Sequence, residues 1–288
     1  MPRAASARTA LCAVLALVAF AGNSVLCRMA LGRGLIDAAT FSVVRVAAGA
    51  LVLLVVGAAL GASPVRLGGS WVPALLLFSY AIPFSLAYAS LSAGTGALIL
   101  FGAVQITMMT AALASGERPR PAQWAGLVLA LAGLVYLVLP GLAAPSLTGG
   151  ALMAVAGVSW GLYSVQGRRS VDPLAQTAGN FLRALPLVVA VGAFNALRMH
   201  AEPAGVLLAV LSGAIASGLG YVLWYVALEG MSATRAAVVQ LTVPVLAAAG
   251  GVVFIGEAIT TRLVLAAIVV LGGTSLALVG RGRPELPS

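Results

Sequence analysis

The sequence has no lysine, a single histidine (His200), two cysteines (Cys12 and Cys27) and seven acidic residues in 288. Each shortage excludes a chemistry. One His and two Cys form no cluster with metal-ligand spacing, so no metal site is expected. Without lysine there is neither a Ser–Lys dyad nor a GxxxxGK phosphate loop, and ATP-driven pumping drops out. No Asp lies inside an apolar run, which removes an intramembrane aspartyl protease. His200 stands in a loop beside Glu202, far in sequence from any Gly-framed Ser, so a Ser–His hydrolase is not expected. The expectation is a protein that is not an enzyme and carries no cofactor. Charged residues make up only 8% of the chain, against about 25% for a soluble domain. That is too little charge to cover a soluble surface, and far too much apolar content for disorder.

What is present is hydrophobic: 61% of residues, with a mean hydropathy of +1.10. The net charge is +9, yet no basic stripe with interleaved aromatics exists, so nucleic acid is not an expected partner. Cys12 and Cys27 are fifteen residues apart in one run, about 22 Å along a helix, too far for a disulfide.

Ten apolar runs lie near 9–31, 38–61, 71–91, 94–114, 122–139, 148–167, 174–197, 204–228, 232–255 and 261–280. Each is continuously apolar for about twenty residues, which fits membrane-spanning helices and not the alternation of barrel strands. The first run resembles a signal peptide, but it continues to Leu26 and reads as a retained span. With ten spans both termini lie on one face. That face receives ten arginines, the other receives four, and Arg45 and Arg183 lie within runs two and seven. The excess places both termini in the cytoplasm.

The chain repeats itself at a shift of about 140. Leu91-Ser92-Ala93 falls on Met231-Ser232-Ala233, Gly116-Glu117 on Gly256-Glu257, and Gly133 on Gly273. This divides the chain into 1–145 and 146–288 with five helices each. Five is odd, so the second unit enters the membrane from the opposite side, a construction typical of secondary transporters. The fold class expected is all-α integral membrane, with ten transmembrane helices as two inverted five-helix repeats around a central cavity.

Aromatics are only 6% of the chain, but they gather on particular faces. Tyr80, Phe84 and Tyr88 recur every four residues in run three. Phe101, Gln105 and Met108 share a face of run four, Trp160 and Tyr163 one of run six. Tyr221, Trp224 and Tyr225 recur in run eight. Such stripes serve helix packing or an interfacial belt as readily as a pocket. Two features favour a pocket: many sit mid-run, and Phe84 falls on Trp224 in the repeat. The expected lining is Asn23, Tyr80, Phe84, Phe101, Gln105, Trp160, Tyr163, Tyr221, Trp224 and Gln240. Arg45 and Arg183 have two readings, a structural one by snorkelling or bonding to carbonyls, and a substrate contact. Pro83 and Pro244 lie within runs three and nine, where each removes a backbone bond and marks an expected hinge. Gly157 with Gly161, and Gly213 with Ser217, offer places for close helix approach.

The Gly-Glu pairs after runs four and nine, Ser-Ala at 92–93 and 232–233, Trp160-Gly161, and Arg45 and Arg183 early in their runs together resemble the EamA family of the drug/metabolite transporter superfamily. Phe78-Ser79-Tyr80, Trp160 and Tyr221-x-x-Trp224 are similar to its aromatic amino acid exporter branch. The chain departs from the family at Ala21-Gly22, where Trp-Gly is frequent, and at Val104, where the second repeat has Pro244. The resemblance implies a multi-pass protein of the bacterial inner membrane, with peripheral fifth and tenth helices, that exports amino acids and related small metabolites by alternating access. The alternatives are a drug or nucleotide-sugar carrier and a passive channel. The implied partners are a small-molecule substrate and the lipid bilayer.

Overall fold

Short polar signals start and stop the helices. Asp37, Ser92, Ser146, Asp172 and Ser232 each accept a hydrogen bond from a backbone N–H two or three residues on. Such caps satisfy donors that a helix start leaves unpaired. Proline stands at the first position of three helices, at Pro121, Pro173 and Pro203. In the computed structural model the described residues are 2–60, 68–116, 120–138, 146–168 and 170–258, with 261, 264–265, 268–269, 272–273 and 275–276.

The helices are α1 (Pro2–Gly32), α2 (Ala38–Ala59), α3 (Trp71–Tyr88), α4 (Ala93–Ala114), α5 (Pro121–Val138), α6 (Leu147–Gly167) and α7 (Pro173–Phe194). The eighth span joins α8 (Pro203–Leu211), a π-helical stretch (Ser212–Leu219) and α9 (Gly220–Glu229). The ninth is broken into α10 (Ala233–Gln240) and α11 (Val243–Gly250), followed by π-helical Gly251–Ile255. No strand occurs among the described residues, only an isolated bridge between Ile36 and Ala201. The tenth expected run lies mostly outside the described residues.

Seven of these spans are long and apolar enough to cross a membrane. Their outward faces carry Leu11, Val14, Val18, Leu51, Val55 and Ile106, all exposed. A soluble protein would not leave so wide an apolar surface in water, and a bilayer accounts for it. The chain is therefore a multi-pass membrane protein.

The packing is reciprocal. α6 lies against α3 and α4, while α1 lies against the eighth and ninth spans. α2 pairs with α7, and α4 with both pieces of the ninth span. α5 packs on α4 through Leu98, Met109, Leu127 and Ala130. Close approaches use glycine: a Cβ on Gly157 would collide with the Leu100 carbonyl and the Ala103 side chain, and one on Gly49 with the Phe181 ring.

The Gly256-Glu257 pair has a structural reason. Gly256 ends the ninth span with φ 79°, a left-handed conformation that favours glycine. The turn brings Glu257 to the start of α4, where Oε1 accepts from the Ala93 N–H at 3.2 Å. Gly-Glu thus meets Ser92-Ala93 of the other half. Gly116 has φ 85°, while Glu117 lies outside the described residues.

Candidate functional site

Five helical spans place aromatic rings in one buried cluster. Trp160 of α6 lies at its middle, with ring centroids 4.5 Å from Tyr221, 5.1 Å from Phe20, 5.3 Å from Tyr80 and 5.5 Å from Tyr163. Phe84 joins through Tyr80 at 5.0 Å, Trp224 through Phe20 at 5.6 Å, and Phe181 through Tyr221 at 5.7 Å. Mostly edge-on and tilted pairs fit the ring quadrupole.

Polar groups are threaded between the rings. Asn23 Nδ2 donates to Tyr80 Oη at 3.1 Å, and Asn23 Oδ1 accepts from Ser212 Oγ at 2.6 Å. Trp160 Nε1 donates to Gln240 Oε1 at 2.9 Å, and Gln240 Nε2 to Met108 Sδ at 3.1 Å. Asn180 Nδ2 donates to Tyr163 Oη at 3.3 Å, and Trp224 Nε1 to Ser164 Oγ at 3.1 Å. Most of these bonds cross between residues 1–145 and 146–288, or between separate spans.

Eight of the ten residues expected from the sequence thus meet, by ring contact or hydrogen bond. Phe101 and Gln105 are buried on α4 without such a link, and neither end of the Gln105 amide has a hydrogen-bond partner. The rings pack on one another in this conformation. An apolar groove of about 580 Å³ lies elsewhere, between α1, the eighth span and α11, lined by residues such as Val18, Gly22, Leu208 and Phe254.

Two irregular backbones frame the cluster. The ninth span breaks at Leu241–Thr242, directly after Gln240. Pro244 has no N–H to offer the Gln240 carbonyl, which explains an interruption one turn before the proline. The π-helical stretch carries Ser212 and Ser217 to the cluster; such wide turns recur at functional sites. Pro83 sits inside a continuous α3.

The two intramembrane arginines divide. Arg183 Nη1 donates to the carbonyls of Gly68 and Gly179, both at 2.9 Å, tying a loop to α7. Arg45 is 1% exposed and lies within the cluster. Its Cζ is 5.0 Å from the Tyr80 ring centroid and 4.9 Å from that of Phe84. Its Nε donates to Ser217 Oγ at 3.0 Å and Nη2 to Tyr221 Oη at 2.9 Å. Sequence reasoning left Arg45 and Phe20 out of the lining. A charge within an apolar run was a usable signal for Arg45, whereas Phe20 is one apolar residue among many.

One end of the bundle is clasped on its connections. Glu257 Oε1 lies 3.9 Å from Arg28 Nε, and Arg28 Nη1 donates to the Tyr88 carbonyl at 3.2 Å. Asp37 accepts from Ala39, Thr40 and His200 N–H groups and from Asn195 Nδ2. Burial alone would raise the Asp37 carboxyl, but the Thr40, His200 and Ala39 hydrogen bonds outweigh it and hold it below its ordinary range. Among the described residues no group of His, Cys, Asp and Glu could hold a metal ion.

The EamA-like transporter family profile matches residues 147–279. Protein PA1977 of Pseudomonas aeruginosa, itself uncharacterised, is 50% identical over 277 residues, 95% of this chain and 96% of that protein. The threonine/homoserine exporter RhtA of Salmonella typhimurium is 30% identical over 190 residues, 62% of this chain and 61% of that exporter. RhtA of Escherichia coli K12 is 32% identical over 167 residues, 55% of this chain and 54% of that one. A crystal structure 23% identical in sequence superposes with a TM-score of 0.71, over 92% of this chain and 97% of its own, and shares the fold. Matched by profile in its second half and over part of its length by the RhtA exporters, this multi-pass chain belongs to the EamA family of the drug/metabolite transporter superfamily.

Proposed function

We propose that the protein is a secondary transporter exporting amino acids and related small metabolites across the bacterial inner membrane, by alternating access of two inverted five-helix repeats, 1–145 and 146–288. The observation that carries this reading is the buried cluster drawn from both units: Phe20, Asn23 and Tyr80 from one, Trp160, Tyr221 and Gln240 from the other. Reciprocal packing of α6 on α3 and α4, and of α1 on the eighth and ninth spans, supports the inverted arrangement. Ten spans with both termini in the cytoplasm follow from the tenth apolar run and the arginine excess.

Asn23, Tyr80, Phe84, Phe101, Gln105, Trp160, Tyr163, Tyr221, Trp224 and Gln240 would face the solute once the two units part. Ring faces stack on flat or apolar side chains, and amides bond polar groups without the desolvation cost of a fixed charge. Backbone interruptions near mid-span suit such a site: the break after Gln240 frees carbonyls, and it gives the ninth span a joint beside Pro244. The similarity to RhtA favours small polar amino acids among the solutes.

Counterflow in proteoliposomes tests the reading. Vesicles preloaded with unlabelled threonine, homoserine or phenylalanine should accumulate the labelled amino acid transiently, with saturation. Linear, non-saturating flux would make the protein a channel. Counterflow confined to cationic drugs or nucleotide sugars would replace the amino acid by those solutes.

A further inference from the structure

We infer that Arg45 is the receptor for a carboxylate on the transported solute, an assignment that rests on the export reading and names the chemistry its substrates share. The argument starts from an electrical imbalance. Arg45 sits 1% exposed in a membrane-spanning bundle, and an arginine side chain stays charged there. Its partners are a serine hydroxyl, a tyrosine hydroxyl and two ring faces, none of which carries a charge. Among the described residues no carboxylate faces it. Ring faces and hydroxyls offset part of the desolvation of a cation, but a buried charge is ordinarily matched by an opposite one.

The guanidinium is also only partly used. Nε and Nη2 spend one edge of the fork on Ser217 and Tyr221, while Nη1 is buried and donates to nothing. The remaining edge, Nη1 with the second Nη2 hydrogen, has the planar two-donor geometry that a carboxylate accepts. The fork is held rather than free: Ser217 and Tyr221 fix it along one edge, and the neighbouring Tyr80 and Phe84 rings lie against it.

The charge count selects the anion. The other arginines near the bundle core are spoken for: Arg183 by two carbonyls, Arg28 by Glu257 and the Tyr88 carbonyl. One cation meeting one carboxylate leaves a neutral pair in hydrocarbon. A phosphate dianion on the same single cation would leave a net negative charge among electron-rich ring faces. A carboxylate also fits the rest of the cluster, since an ammonium on the same solute would find the faces of Trp160 and Tyr80.

The arrangement resolves what the sequence left open for Arg45. A snorkelling side chain would reach an interface, and a structural one would end on backbone carbonyls, as Arg183 does. Arg45 does neither.

The test compares an acid with its amide. Labelled L-threonine counterflow in proteoliposomes is competed by unlabelled L-threonine or L-threonine amide, and binding is read in parallel from tryptophan fluorescence, since Trp160 and Trp224 lie in the cluster. The wild type should prefer the acid by about tenfold or more, which is about 1.4 kcal/mol. Arg45→Gln should bring the acid and amide within about twofold of each other, and Arg45→Lys, which keeps the charge but loses the fork, should fall between. A wild type that takes the amide as readily as the acid overturns the assignment without any variant. So does an Arg45→Gln protein, folded by size exclusion, that retains the wild-type preference. Failure of the two readings is separable. Acid-selective quenching that depends on Arg45 without counterflow would sink export and keep the carboxylate site. Normal counterflow with no preference for the acid would do the reverse.

Discussion

The bond between Trp160 and Gln240 joins the sixth and ninth spans at the centre of the cluster, and it can be weighed. Trp160 is 2% exposed and Gln240 1%, with Nε1 and Oε1 2.9 Å apart. Trp160→Phe keeps a ring but removes the donor, leaving a buried carbonyl oxygen without its partner. Gln240→Leu does the reverse and leaves the indole N–H unpaired. Orphaning a buried group costs about 1–3 kcal/mol in general. Measured couplings between helices in membranes are smaller, about 0.6 kcal/mol on average and up to about 1.7. The second scale is the appropriate one, because both groups can find other partners in the unfolded but inserted chain. Trp160→Phe with Gln240→Leu should therefore be more stable than the sum of the single variants by about 0.5–1.7 kcal/mol. Thermal unfolding in detergent, followed by size exclusion, measures all four corners of the cycle. Full additivity would mean that the bond contributes nothing and the reasoning fails. The same ring gives a functional arm. Trp160→Ala should reduce counterflow of methionine and phenylalanine more than that of alanine and threonine, counted per folded molecule. Equal loss across the four would make Trp160 a packing residue only.

The Asp37 carboxyl is held below its ordinary 3.8, so its contribution to stability is present above that value and is lost as pH falls through the lower folded value. The wild-type melting temperature should drop on acidification below about pH 4 more steeply than that of Asp37→Asn, which a pH series of melting curves will read. Glu257→Gln keeps an acceptor for the Ala93 N–H and loses only the quarter-exposed pairing with Arg28, so it should cost about 0–1 kcal/mol and less in high salt. Glu257→Ala should cost more, by about 0.5–1.5 kcal/mol, because the acceptor for the Ala93 N–H is also lost; paired melting curves at two salt concentrations check both. Pro244→Ala should leave folded yield near normal and slow counterflow, by returning an N–H toward the Gln240 carbonyl. Unchanged transport with altered stability would make the bend a packing feature.

Span positions were legible because the membrane imposes one strong rule, about twenty apolar residues at a time. Run two was placed at 38–61 and α2 is Ala38–Ala59; run six at 148–167, and α6 is Leu147–Gly167. Asp37, Ser92 and Asp172 cap the starts in the structure. Rotation of each helix about its axis was not legible in the same way. With lipid outside and apolar packing inside, both faces read alike, so Phe20 could not be told from Val18. Yet Phe20 meets Trp160 while Val18 is exposed. The aromatic rows escaped this ambiguity because large rings at spacings of three and four are uncommon in so small an aromatic content. Irregular backbone was only half visible: Pro244 announced a disturbance, but the π-helical stretch at Ser212–Leu219 has no proline to announce it.

The glycine contacts differ in what they allow mechanically. Between α4 and α6, Gly157 and Gly161 bring one helix against carbonyl and small side-chain atoms of the other, with no large knob crossing the seam. Such a surface resists separation but offers little to catch on, so it can act as a rail. Between α2 and α7, the Phe181 ring is seated in the notch left by Gly49, and it also touches Tyr221. That contact interlocks and behaves as a pivot pin. Relative motion of the two halves would slide along the first seam and turn about the second, with the aromatic cluster lying between them.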